Sequence, residues 1–130
     1  MDAGLLQVQL QVLSLSLLLA SDQEKQGKLI APGPVSNAAH KGLELYRKYG
    51  GRKKLRLPQA LAEGSSITAK DLDEMLYFFE NSDIDQSKPG WGDKEYPSVD
   101  WIRWLLMGGT PGWHWARTTK DLASAMGEKL

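Results

Sequence analysis

Asp83, Asp85 and Ser87 stand at alternate positions in the loop "DIDQSKPGWGDKE", the spacing at which the first three oxygen ligands of a calcium-binding helix-loop-helix enter. The likeness ends there. The position that must turn on glycine holds Lys88, and the position that needs a chelating glutamate holds Lys94, with Glu95 one residue late. The expectation is a solvated acidic loop stiffened by Pro89 and Trp91. The only two histidines, His40 and His114, have no second ligand at metal spacing, and without cysteine a zinc site would have to rest on carboxylates. The serines are scattered, with no nucleophile motif around any of them. No catalytic residue, no metal site and no cofactor is expected, and the chain does not read as an enzyme.

The remaining chemistry is electrostatic. The stretch "YRKYGGRKKLR", Tyr46 to Arg56, mixes cations, two tyrosines and a glycine pair, a combination able to grip phosphate. From His40 to Leu57, Lys41, Arg47, Lys48, Arg52, Lys53, Lys54 and Arg56 face only Glu44, a local charge of +6. From Glu63 to Asp100, ten carboxylates face three lysines, a local charge of −7. The total over 130 residues is zero and conceals this division. The basic run is expected to contact an acidic surface, either the chain's own acidic half or an acidic protein partner. Nucleic acid is the less favoured partner.

These residues must be carried by helices. With 25% charged and 42% hydrophobic residues, the chain has the composition of a folded protein. Ser36 is placed to cap a helix bearing Ala39, Leu43 and Tyr46 and ending at Gly50-Gly51. A short helix is expected from Pro58 to Gly64. Thr68 and Asp71 have the spacing of a capping box, with Ile67 and Leu72 as its hydrophobic staple and Leu72, Met75, Leu76 and Phe79 along one face. Ser98 should open a helix so apolar, through Trp101, Ile102, Trp104, Leu105 and Leu106, that it is expected to be the central one. A last helix is expected to start with Thr110 as cap and Pro111 in its first position. The tryptophans read as core, with Trp101 and Trp104 both meeting the Leu72, Met75 and Phe79 stripe.

The opening segment "GLLQVQLQVLSLSLLLASD" is different. It lacks the basic start of a signal peptide, and its longest nearly apolar piece, Val12 to Ala20, is about half of the roughly 20 residues a spanning helix needs, so no membrane association is expected. Val8, Leu10 and Val12 alternate with glutamines, and Leu13, Leu15 and Leu17 with serines, which is strand spacing with a change of face between Val12 and Leu13. The polar stretch after it, punctuated by Pro32, Gly33 and Pro34, reads as a linker. The expected architecture is mainly α: an extended β-strand arm and linker over residues 1–35 and a small domain of about five helices over residues 36–130. The six apolar arm residues are candidates for strand addition to a neighbouring protein.

Three strings, "AHKGLELYRKYGG", "ITAKDLDEMLYFFENSDIDQSKPGWGD" and "YPSVDWIRWLLMGGTPGWHWA", together resemble a small helical module of tailed-bacteriophage head proteins. That module's pattern runs "RGLxxRxKYG", "FFxRHEVD", "GWG" and "PSxxxIAWLLWGGxxGxxWA". The likeness spans about residues 38 to 117, in matching order. This chain departs from it at Asn81, Ser82 and Asp83, where the module has Arg-His-Glu, and at Met107, where it has tryptophan. The resemblance implies a setting, the phage head, and no reaction. It implies a decoration or cement protein of the virion, with the major capsid protein, other head proteins or a second copy of itself as partner. The alternative it leaves is a head-interior or connector-associated DNA-binding protein.

Overall fold

Thr68 and Asp71 do what their spacing implies. In the computed structural model, which describes residues 29–127, the Asp71 amide donates to Thr68 Oγ1 at 3.1 Å and the Thr68 amide donates to Asp71 Oδ2 at 3.0 Å. This reciprocal cap opens a helix over Ala69–Asn81 whose Leu72, Met75, Leu76 and Phe79 are buried, with Ile67 buried beside them. In chain order the elements are β1 (Leu29–Ile30), α1 (Gly33–Lys48), α2 (Arg56–Glu63), β2 (Ser66–Ile67), α3 (Ala69–Asn81), α4 (Val99–Leu106) and α5 (Gly109–Ala125). The described protein is mainly helical, with five helices and a two-stranded sheet. None of the described helices is long and apolar enough to cross a membrane.

Three helix starts differ from the expectation. The first helix begins at Gly33, with Pro32 as its cap residue and the Val35 and Ser36 amides donating to the Pro32 carbonyl. Pro34 fits because first-turn amides have no helical partner to lose. The earlier start brings Val35 onto the face of Ala39, and both are fully buried, which outweighs the preference of Ser36 for a capping position. α2 likewise begins at Arg56, so Pro58 sits inside its first turn. α5 begins at Gly109, not after Thr110, because Gly108 takes the left-handed conformation (φ 104°) and turns the chain from α4 into α5 within two residues. Ser98, by contrast, stands directly before its helix as expected and caps it, accepting from the Trp101 amide at 3.0 Å.

The linker reading also fails at its end. β1 pairs antiparallel with β2, Leu29 opposite Ile67 and Ile30 opposite Ser66, and Leu29, Ala31 and Ile67 are buried in one cluster. The folded domain therefore includes Leu29–Ala31, which lie ahead of the expected boundary at 35/36. A two-residue strand has no period to detect. The alternating segment itself, with Val8, Leu10, Val12, Leu13, Leu15 and Leu17, lies outside the described residues.

α1 is the hub, packing on α2, α4 and α5, while α3 packs on α5. α4 is apolar for another reason: it lies between two clusters of buried side chains. Trp104 joins Leu72, Met75 and Phe79, while Trp101, Ile102, Leu105 and Leu106 join Leu43 and Leu45 of α1. Trp101 therefore does not meet the α3 stripe. A spacing of three turns side chains by about 60° around a helix of 3.6 residues per turn, enough to face different neighbours.

Candidate anion-binding face and aromatic groove

The carboxylates of the acidic half that are paired find their cations mostly outside the basic run. Asp100, buried at the start of α4, accepts from the Asp85 amide at 3.1 Å and pairs with Lys88 at 3.2 Å and Arg103 at 3.4 Å. Asp73 pairs with Lys120 at 2.7 Å, and Glu80 with Arg117. From the basic run, Arg56 alone reaches a carboxylate, Asp71, at 2.5 Å. Lys41, Arg47, Lys48, Arg52, Lys53 and Lys54 have no carboxylate partner among the described residues, and all but the half-buried Lys41 are exposed. Among the described residues the two halves are thus joined across one ion pair, and the basic face remains turned outward.

The loop that imitates a calcium site is organised by its own hydrogen bonds. Asp85 Oδ1 accepts from the Ser87 hydroxyl at 2.6 Å and amide at 2.9 Å, and these two donors hold its carboxyl below the usual carboxylate range. Lys88, standing where that loop type needs glycine, anchors the segment on Asp100. His40 reaches Glu44 at 3.9 Å, and His114 stacks on Trp113 with centroids 6.4 Å apart. No three His, Asp or Glu side chains gather as metal ligands among the described residues.

Acid is expected to loosen this arrangement. Burial pushes the Asp71 carboxyl up, but the Arg56 hydrogen bond, the Thr68 amide, the Arg56 charge and the Thr68 hydroxyl together outweigh it and hold the group below its ordinary value. Asp100 is held down by the Asp85 amide first and the Lys88 ammonium next. A carboxylate whose native pKa lies below its unfolded value stabilises the fold fully above that unfolded value, about 3.9, and loses the contribution as pH falls through the native one. Urea unfolding should therefore give lower stability at pH 3 than at pH 7, with a smaller loss in Asp100→Asn. Equal stability at the two pH values would show that these carboxylates do not titrate with folding.

Beside the basic face lies a groove of about 640 Å³. Ile102 and Leu106 of α4 line it together with Tyr46 of α1, and the Gly50-Gly51 turn and the Tyr96-Pro97 segment border it. Both borders are tied down. Tyr46 OH accepts from the Lys53 amide at 3.1 Å, and a β-carbon on Gly51 would come within 2.4 Å of the Tyr46 ring, so only glycine lets the turn lie against that ring. Tyr49 OH donates to the Glu95 carbonyl. Lys48 Nζ lies 5.5 Å from the Tyr49 ring centroid, and Arg103 is the charged side chain lining the groove. Tyr96 and Val99 project with 78% and 71% of their surface exposed.

Of these residues, Tyr46, Lys48 and Tyr49 were visible in the basic stretch. Tyr96, Pro97 and Val99 were not, because nothing in the sequence places them beside a turn some fifty positions earlier. The tryptophans divide as well. Trp104 is buried, its ring edge-on to Phe79 at 4.9 Å and to Trp113 at 5.9 Å. Trp113 is 36% exposed, because it stacks on the outer side of Phe79 at 6.0 Å. The core reading thus holds for Trp101 and Trp104 and only in part for Trp113. No family model, curated protein or solved structure matches the chain.

Proposed function

We propose that this chain is a structural protein of a tailed-phage head, of the decoration or cement type. Its N-terminal arm would add a strand to a neighbouring head protein, and its helical domain would dock on the shell. The observation that carries the reading is the outward basic face: Arg56 is spent on the fold, and the other cations are left for an anionic neighbour. Each such contact is weak, about 0 to 1 kcal/mol for an exposed pair, but repetition over a symmetric shell sums many of them. The resemblance to the phage-head module adds support, since its residues in this chain are ones that hold the fold together. Gly42 meets α4 at backbone distance, and Trp104, Gly108 and Gly112 are buried around the α4–α5 turn. The partner would be the major capsid protein, another head protein or a second copy of this chain.

A second reading, a head-interior or connector-associated protein that touches nucleic acid, is favoured by the tyrosines bordering the cations.

Truncation tests the first reading. A chain beginning at Leu29 is expected to melt close to the full-length protein but to lose co-sedimentation with phage heads that lack this protein. A chain beginning at Pro32 should lose stability as well, by about 2 to 5 kcal/mol for the missing Leu29 side chain alone, because Leu29 is part of the core. Undiminished attachment of the Leu29 chain would remove the arm from the proposal.

A further inference from the structure

We propose that the groove between the Gly50-Gly51 turn and Tyr96 binds single-stranded nucleic acid, taking a base against its tyrosines while the adjacent cations hold the phosphates. The proposal needs only the groove and its neighbours, and it stands whether or not the chain is a head protein.

Three observations meet at this place. The first is ring surface: Tyr46, Tyr49 and Tyr96 all line the groove, and Tyr96 and Tyr49 are exposed large side chains. Base stacking on aromatic rings is tolerant of sequence because every base has a π-face. The second is charge. Lys48 lies over the Tyr49 ring, Lys53 is tied through its amide to Tyr46, and neither has a carboxylate partner among the described residues. Arg103 also lines the groove but is shared with Asp100, so the free positive field comes from the two lysines with Arg47, Arg52 and Lys54 nearby in sequence. The Glu95 carbonyl, which anchors Tyr49, lies at the same border. The third is preorganisation. Tyr46 and Tyr49 each fasten one border by a hydroxyl hydrogen bond, so the groove does not have to be ordered when a ligand enters.

The apolar lining selects a single strand over a duplex. Val99, Ile102 and Leu106 offer no polar group to read a base edge, whereas an unpaired base presents its flat apolar face. In a duplex that face is covered by its neighbours, and only phosphates remain to be bound. An acidic protein segment would use the same cations but would gain nothing specific from three rings.

The test uses the full-length protein and a fluorescein-labelled oligothymidine of about 16 nucleotides, the upper end of usual site sizes for such grooves. A duplex of equal length and polyglutamate are run beside it. The oligothymidine is expected to bind tighter than either. Tyr96→Ala should weaken that binding by roughly tenfold, within the range for one lost stacking partner, while Tyr96→Phe, which keeps the ring, should retain it. Lys48→Glu with Lys53→Glu should make the salt dependence shallower by at least one unit of log–log slope, each phosphate contact on a single strand contributing about 0.7. Because Tyr96 is exposed, its variants should melt like the parent, which separates lost binding from lost folding. Four results overturn the proposal: no binding of oligothymidine at low salt, equal or tighter binding of the duplex, preference for polyglutamate, or binding that Tyr96→Ala leaves unchanged.

Discussion

Replacing Trp104 by alanine should cost about 3 to 5 kcal/mol, the range for removing a large buried aromatic, a large share of the roughly 5 to 15 kcal/mol that holds a domain of this size. The indole is 6% exposed and stands where the α3 stripe, the 91–98 segment and α5 converge. Its ring contacts Phe79 at 4.9 Å, Trp91 at 5.9 Å and Trp113 at 5.9 Å, and its Nε1 donates to Thr110 Oγ1 at 3.3 Å. Deleting it opens a cavity walled by other rings, which collapse poorly because their own partners hold them. Trp104→Phe should lose less, since Thr110 is exposed and its hydroxyl can turn to water. Trp113→Ala should also lose less, because that ring already meets solvent. Urea unfolding of the three variants checks the order. A Trp104→Ala loss no greater than that of Trp113→Ala would mean that Trp104 is not the keystone of this cluster. Acrylamide quenching adds an independent reading: the emission lost in Trp104→Ala should be the least quenchable part, and that of Trp113 the most.

Gly42→Ala should destabilise the domain by about 1 to 3 kcal/mol, the usual cost of overpacking, although alanine is the better helix former by about 1 kcal/mol. The two effects oppose each other, and geometry decides the sign. A β-carbon at Gly42 would lie 2.7 Å from the Leu106 nitrogen and 2.9 Å from the Leu105 carbonyl carbon. Those are backbone atoms, which cannot swing aside as the end of a long side chain would. α1 and α4 would have to move apart, loosening the cluster of Leu43, Leu45, Trp101 and Ile102 between them. Gly33→Ala is a comparison on the same helix without a tertiary neighbour: its β-carbon meets only Pro34, which disfavours helical backbone in the residue before it, so the variant should be mildly destabilising and less so than Gly42→Ala. If the two variants shift the urea midpoint alike, close packing of α1 on α4 is not what Gly42 provides.

Local signals were enough wherever one residue type satisfies a backbone group nearby in sequence. Thr68 with Asp71 formed the cap its spacing announced, and Ser98, where a helix was expected to open, caps it through the Trp101 amide, because a cap needs only residues two or three positions apart. The helical class and the buried stripe of α3 followed from periodicity for the same reason. Prolines and glycines were harder to place. Pro34, Pro58 and Pro111 are all accepted within a first turn, so each marks the neighbourhood of a helix start without choosing its residue. In the first helix the burial of Val35 moved that start ahead of Ser36, and in the last the left-handed turn at Gly108 moved it ahead of Thr110.

The order of the charges along the sequence revealed that the chain has a basic and an acidic part. Tertiary structure decided what they do to each other: one pair, Arg56 with Asp71, spans them, while Lys88, Arg103, Arg117 and Lys120 satisfy the other paired acids. The same holds for the pairing of Leu29 with Ile67, the role of α1 as hub and the groove formed by Tyr46, Tyr49 and Tyr96. Each depends on contacts between residues far apart in the chain, and such contacts leave no spacing in the sequence. Periodicity says which side of a helix seeks apolar company; only the packed chain determines which neighbour supplies it, because several apolar partners would satisfy the same stripe and shape chooses among them.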